Sequence, residues 1–203
     1  MSTQTQNLID EVSIFISSDW NLALTSNHSL NPYCDPSIYL LLLAYNIVLA
    51  GWSKSGDRDL AKNAETLLKE MEASTEENSS RISPNTYTYN CIIFCYTWSN
   101  LANKGDKALA ILEKMKGMAE TNPFCRPDCT TYNAVMNCVT KSNHPSAPHK
   151  VEALMEEMID IYKCTGEASM RPTNRSFNAC VRYWLTTSQY TVVSLVFHIV
   201  VKN

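Results

Sequence analysis

Apolar side chains return along this chain in sets of four at offsets of three, four and seven residues, the spacing that lines one face of an α-helix. The sets are Tyr45, Val48, Leu49 and Trp52; Tyr89, Ile92, Ile93 and Tyr96; Tyr132, Val135, Met136 and Val139; and Phe177, Cys180, Val181 and Trp184. A second apolar face follows each of the first three: Ala64, Leu67, Leu68 and Met71; Ala108, Ile111, Leu112 and Met115; Val151, Leu154, Met155 and Met158. Each of these methionines stands 25 residues after an asparagine, Asn46, Asn90 or Asn133, and Lys and Glu fill most of the opposite helix face. The pattern predicts an all-α chain of helical hairpins. Such hairpins are apolar on their inner faces and cannot bury them alone, so they stack as an α-solenoid of antiparallel pairs.

The repeat is sharpest where each first helix begins. Residues 84–90, 127–133 and 172–178 obey one rule: Pro, three variable residues, Thr or Ser, an aromatic residue, Asn. A weaker copy ends in Tyr45 and Asn46. The last three asparagines, Asn90, Asn133 and Asn178, lie 43 and 45 residues apart, a period that points to small repeated units. The units are 36–83, 84–126, 127–171 and an atypical or incomplete 172–203, preceded by a helix and loop over 1–35. Asp35 and Pro36 supply a cap and a first-turn proline for a helix running to about residue 53. Leu8, Ile9, Val12, Phe15 and Ile16 predict an earlier amphipathic helix over 6–17, with a short helical turn around 20–24. The polar connections 72–83, 116–126 and 159–171 read as surface loops or extended helix ends, and Pro145 and Pro148 mark the start of the third unit's second helix. In the fourth unit the second-helix positions are Val196, Ile199 and Val200, but the stretch 192–201 is apolar on every side. It lacks the polar face of a terminal cap, so a following unit is expected to be missing from this chain.

Composition narrows the class. The 203 residues are 45% apolar and 18% charged, as in an ordinary soluble globular chain, and five glycines suit helices better than hairpins or phosphate-cradling loops. The eight cysteines form no Cys-x-x-Cys and follow no secretory signal, so they read as reduced, mostly buried small residues. Cys91 and Cys95 read as packing rather than zinc ligands, and neither metal nor cofactor is expected. The four histidines pair with no suitably spaced carboxylate, and no nuclease or deaminase signature appears, so the chain is not read as an enzyme. Val192–Val201 is about half the length of a membrane-spanning helix, and no membrane partner is expected. The first eleven residues contain no Arg or Lys and do not look like an organelle transit peptide. The net charge of −3 and pI near 5.8 have the wrong sign for binding nucleic acid through a broad basic surface.

The aromatic-Asn start of the first helix, the Ala-x-x-Leu-Leu-x-x-Met type of second helix and the closing Pro-Asp together resemble the pentatricopeptide repeat family, over about residues 42–185. The units here exceed the family's usual length of about 35 residues, with additions between the helices and before the proline. The resemblance implies a right-handed superhelix that binds single-stranded RNA, about one base per repeat. It implies base-reading pairs of Asn46 with Asn85, Asn90 with Asp128, and Asn133 with Thr173, with Asn178 left without a partner. Leu43, Tyr87, Thr130 and Arg175 match the positions that sandwich bases in the family. Asn with Asp implies uracil, and Asn with Asn or Thr a pyrimidine. The expected partner is therefore a pyrimidine-rich single strand, in RNA processing or stability, with mitochondria or plastids as the family's usual compartments. A different class of function, a helical scaffold for a protein partner, fits the acidic pI. With three or four bases read, the chain would belong to a longer array, work with a partner, or bind loosely. Arg81, Arg126 and Arg171, just before the closing prolines, read as solvated loop charges.

Overall fold

The structure is a computed structural model that describes residues 36–55, 60–77, 83–142 and 147–187. The expected helix over 6–17, the turn at 20–24, Arg81, and the fourth unit's second helix and apolar tail lie outside the described residues. Among the described residues the regular elements are all helices: α1 Pro36–Ser55, α2 Leu60–Glu77, α3 Thr86–Trp98, α4 Lys104–Ala119, α5 Cys129–Lys141, α6 Ala147–Thr165 and α7 Asn174–Thr187. Two short 3₁₀ turns, Pro123–Cys125 and Ala168–Met170, lie between α4 and α5 and between α6 and α7. The helices gather into two compact units, residues 1–99 and 100–203, a division that falls between α3 and α4.

In the first unit α3 packs against both α1 and α2, which also touch each other. The faces read from the periodicity are the ones that close: Tyr45, Val48 and Leu49 from α1, Ala64, Leu67, Leu68 and Met71 from α2, and Tyr89, Ile92, Ile93 and Tyr96 from α3 are all buried. In the second unit α5 is central and packs on α4, α6 and α7. Its Tyr132, Val135, Met136 and Val139 meet a core that includes Leu112, Met115, Met155 and Met158, all buried. On α7, Cys180 is buried but Val181 is 37% exposed, so the fourth apolar stripe closes less completely than the others.

The lengthened connections are compact. α4 and α6 extend to Ala119 and Thr165, and Gly166, with φ of +68°, turns the chain out of α6 in the left-handed region that favours glycine. Each 3₁₀ turn then buries its last residue, Cys125 or Met170, directly before an Arg-Pro pair. Arg126 reaches Glu167 at 2.5 Å, tying the two turns to one another.

Two neighbouring positions on α4 test this packing in opposite directions. Met115 is fully buried, and Met115→Ala should lower stability by about 2–5 kcal/mol. At Gly117 an added Cβ meets nothing within 4 Å, so Gly117→Ala should raise stability by up to about 1 kcal/mol. Urea unfolding of the two variants measures both shifts.

Candidate nucleic-acid interface

The residues after the prolines prove to be helix caps. Asn85 is the N-cap of α3, and its Oδ1 accepts from the Thr88 backbone N–H at 3.0 Å while the Asn85 N–H donates to Thr88 Oγ1 at 3.2 Å. Asp128 caps α5 in the same way through Thr131, at 2.8 and 3.2 Å. At α7 the Thr173 N–H donates to Ser176 Oγ at 3.0 Å. The Pro-x-x-x-Thr/Ser rule is therefore a capping box, which satisfies otherwise orphaned helix-start groups.

The repeated asparagine is not a cap. Asn90, Asn133 and Asn178 are each the fifth residue of their helix, and Asn46 lies deep within α1. Asn46 is buried, and its Oδ1 accepts the Thr88 hydroxyl proton at 2.7 Å. A hydroxyl has one proton, so the Thr88 bond to Asn46 leaves Asn85 Oδ1 to the backbone N–H alone. Asn46 and Asn85, an expected reading pair, are thus joined through one threonine. Asn133 and Thr173 meet directly, with Asn133 Nδ2 donating to Thr173 Oγ1 at 3.4 Å and to Cys129 Sγ at 3.2 Å. Asn90 is buried in the first unit and Asp128 is half-buried in the second, and each is described within its own unit. Among the described residues the Oδ1 atoms of Asn90 and Asn133 are buried without a hydrogen-bond partner. Asn178, Thr130 and Arg175 are exposed.

Around the Asn46–Asn85 pair the first unit forms an open groove of about 580 Å³ between α1 and the start of α3. Leu43 and Tyr87 line it together with Ile47, Ala50, Gly51 and Lys54. One groove thus contains an expected reading pair, the two expected sandwiching residues beside it, and a lysine. Tyr87 is 53% exposed and offers a ring face. Sequence reasoning missed Ile47 and Lys54, yet they stand four and eleven residues after Leu43 and so share its face of α1. The groove lining contains one cation and no carboxylate.

The thiols are inert by position. Burial pushes Cys91 up to about 11, against smaller opposing effects of the Tyr87 hydrogen bond and the Lys54 charge. Burial and then the neighbouring Cys91 push Cys95 up to about 12, and burial with the Glu152 charge pushes Cys180 up to about 11. A thiol held neutral is a weak nucleophile and a poor metal ligand. Among the described residues no group of three or more His, Cys, Asp or Glu side chains is placed to hold a metal ion, no disulfide joins the cysteines, and no helix is long and apolar enough to cross a membrane. No family model, curated protein or solved structure matches the chain.

These thiols set a pH dependence. Their folded values lie above the ordinary value of 9.0, so their contribution is complete below pH 9. Between pH 9 and about 11 to 12 the unfolded chain releases protons that the folded chain keeps, and stability falls. Unfolding midpoints should drop across that window, less so in Cys91→Ala/Cys95→Ala. At neutral pH iodoacetamide should label the exposed Cys164 and spare Cys91, Cys95 and Cys180 until the protein is unfolded, as peptide mass mapping would show.

Proposed function

We propose that this chain is a pentatricopeptide-type helical repeat protein, an α-solenoid of antiparallel hairpins that binds pyrimidine-rich single-stranded RNA by recognition alone. The observation that carries the reading is the first-unit groove, where Asn46, Asn85, Leu43 and Tyr87 line one cavity with Lys54. A base held between Leu43 and Tyr87 would gain stacking on the tyrosine and meet amide groups at its edge, with Lys54 available to a phosphate. The stacked arrangement has support in the second unit. Asp106–Lys150 at 2.7 Å and Lys116–Glu157 at 2.6 Å both run from α4 to α6 with residue numbers rising together, the order of helices lying side by side in one direction.

Charge segregation supports the same reading. The first-helix elements α1, α3, α5 and α7 contain no Asp or Glu and carry Lys54, Lys141, Arg175 and Arg182. The carboxylates sit on α2, α4, α6 and the connections, so the net charge of −3 does not describe the first helices themselves. A second reading, a scaffold that docks an extended peptide, draws on the apolar lining from Leu42, Leu43, Ile47 and Ala50.

Hydrogen-bond bookkeeping gives the test. The cap consumes Asn85 Oδ1, so Asn85 presents its amide N–H₂ as a donor, which suits the acceptor N3 of cytosine. Asn85→Asp keeps the cap and replaces that donor with an acceptor, which suits the N3–H of uracil. Titration of labelled RNA oligomers should therefore show the preference at one position moving from cytosine towards uracil by roughly 5- to 10-fold, about 1 kcal/mol. A wild-type protein that binds cytosine-rich, uracil-rich and adenine-rich strands alike at low salt would sink the proposal, and peptide binding in that same groove would establish the scaffold reading.

A further inference from the structure

Nothing in the packing of α1 among the described residues calls for the glycine at position 51. A glycine inside a helix weakens it relative to alanine, so the choice asks for a reason. Gly105 on α4 has one, because an added Cβ would come within 2.9 Å of Ser142 Oγ. At Gly51 the φ angle is not positive, and an added Cβ meets nothing within 4 Å among the described residues. What Gly51 has instead is a place in the lining of the first-unit groove. With Leu43 at zero and 100° per residue, Lys54 lies at about 20°, Ile47 at about 40° and Gly51 at about 80°, with Asn46 about 60° to the other side. Asn46 faces α3, since it holds Thr88. Gly51 is on the opposite edge, where α1 is exposed, and Ile47 one turn earlier is 44% exposed.

We propose that Gly51 keeps this edge of α1 clear for the sugar-phosphate backbone of the bound strand, so that a nucleotide whose base sits between Leu43 and Tyr87 lays its phosphate against Lys54. The inference rests on the single-strand reading of the groove. Gly51 and Lys54 follow Asn46 along the helix axis by about 8 and 12 Å, so base edge, sugar and phosphate meet the three residues in that order. A groove of about 580 Å³ is of the size that takes a whole small ligand rather than a base edge alone. Its lining contains one cation and no carboxylate, which suits a single phosphate. Glycine is the residue that lets a ligand approach a backbone closely. A side chain at position 51 would hold the strand away from the helix and lift the phosphate off the Lys54 ammonium, so Gly51 is a positioning residue that acts through Lys54.

A phosphate contact adds about 0.7 to the slope of log affinity against log salt for a single strand, which makes the loss of that contact readable. The experiment is fluorescence anisotropy of labelled pyrimidine-rich RNA at about 50 and 200 mM salt. Gly51→Leu should weaken binding about 8-fold at the lower salt and about 3-fold at the higher, with the slope reduced by about 0.7. Lys54→Ala should do the same, and Gly51→Leu/Lys54→Ala should lose no more than either alone. Gly51→Ala and Gly117→Ala both add a methyl group in open space on a helix, so both should raise the urea midpoint. Only Gly51→Ala should also weaken RNA binding, because Gly117 lies on α4, outside the groove. Circular dichroism of each variant should match the parent. If the parent binds RNA but Gly51→Leu binds as tightly, or weakens with its slope unchanged, this inference is overturned and the groove reading stands. If the parent binds no RNA, both fall.

Discussion

The Thr88 hydroxyl is the contact on which the first unit depends. It closes the capping box of α3 and, with the same atom, donates to Asn46 in the middle of α1, so the start of one first helix is fixed against the body of the preceding one. Such a bond is strong because both groups are buried, and breaking it would strand an amide oxygen with no water to replace the threonine. The second unit uses a different atom for the same purpose: the Asn133 amide donates to Thr173, the cap of α7. In each case the asparagine engages the N-terminus of the next first helix. That gives the repeated asparagine a structural reason to exist. Under the proposed function, RNA recognition falls to the polar atoms that the caps do not consume.

A second constraint is the tyrosine that precedes each of the first three asparagines. Its ring is buried in the core, so its hydroxyl needs an acceptor. Tyr132 donates to Glu157, 25 residues on, at 3.0 Å. Burial first, and then the Glu157 charge, raise the Tyr132 hydroxyl above its ordinary range. Tyr45 has Glu70 at the same 25-residue interval, with its charge acting on the phenol after burial. Tyr89 has Lys114 at that interval, and it donates instead to Glu72, at 3.3 Å, on the preceding second helix. The register position of Glu72 is taken in the following unit by Lys116, which pairs with Glu157 at 2.6 Å and lies over the Tyr132 ring at 5.9 Å. Acid and base have exchanged places between two positions, and both tyrosines retain a carboxylate.

The helices were legible because burial follows periodicity so closely. The helix expected from residue 36 to about 53 runs from Pro36 to Ser55, and the three second-helix stripes are buried at every position. The connections were not legible as loops or helix ends alone, because helix extension and a 3₁₀ turn share the same polar stretch. The available signal was an apolar residue two places before each proline, Cys125 and Met170, which the turns bury. The division between α3 and α4 leaves no mark in the repeat pattern, since it depends on how many long-range contacts each helix makes. At the site, the sequence identified the four amide and sandwiching residues of the groove but not Lys54 or Ile47. These differ from one unit to the next, and repeat matching weights only what recurs.

The same weighting explains why net charge argued against RNA. A sum over 203 residues mixes two kinds of helix whose charges have different tasks. On the second helices, Glu and Asp balance Lys in pairs such as Lys116–Glu113 within α4 and Lys150–Asp106 between α6 and α4, which stabilise the second unit by small amounts and are screened by salt. The first helices carry no carboxylate at all. Under the proposed function, a strand in the first-unit groove would meet one cation, Lys54, and otherwise uncharged amides, apolar side chains and the Tyr87 ring. Such a surface gives a shallow salt dependence and takes its affinity mainly from stacking and hydrogen bonds. The groove lining itself contains Lys54 and no carboxylate, so the net charge of the whole chain does not describe the surface on which the proposed function depends.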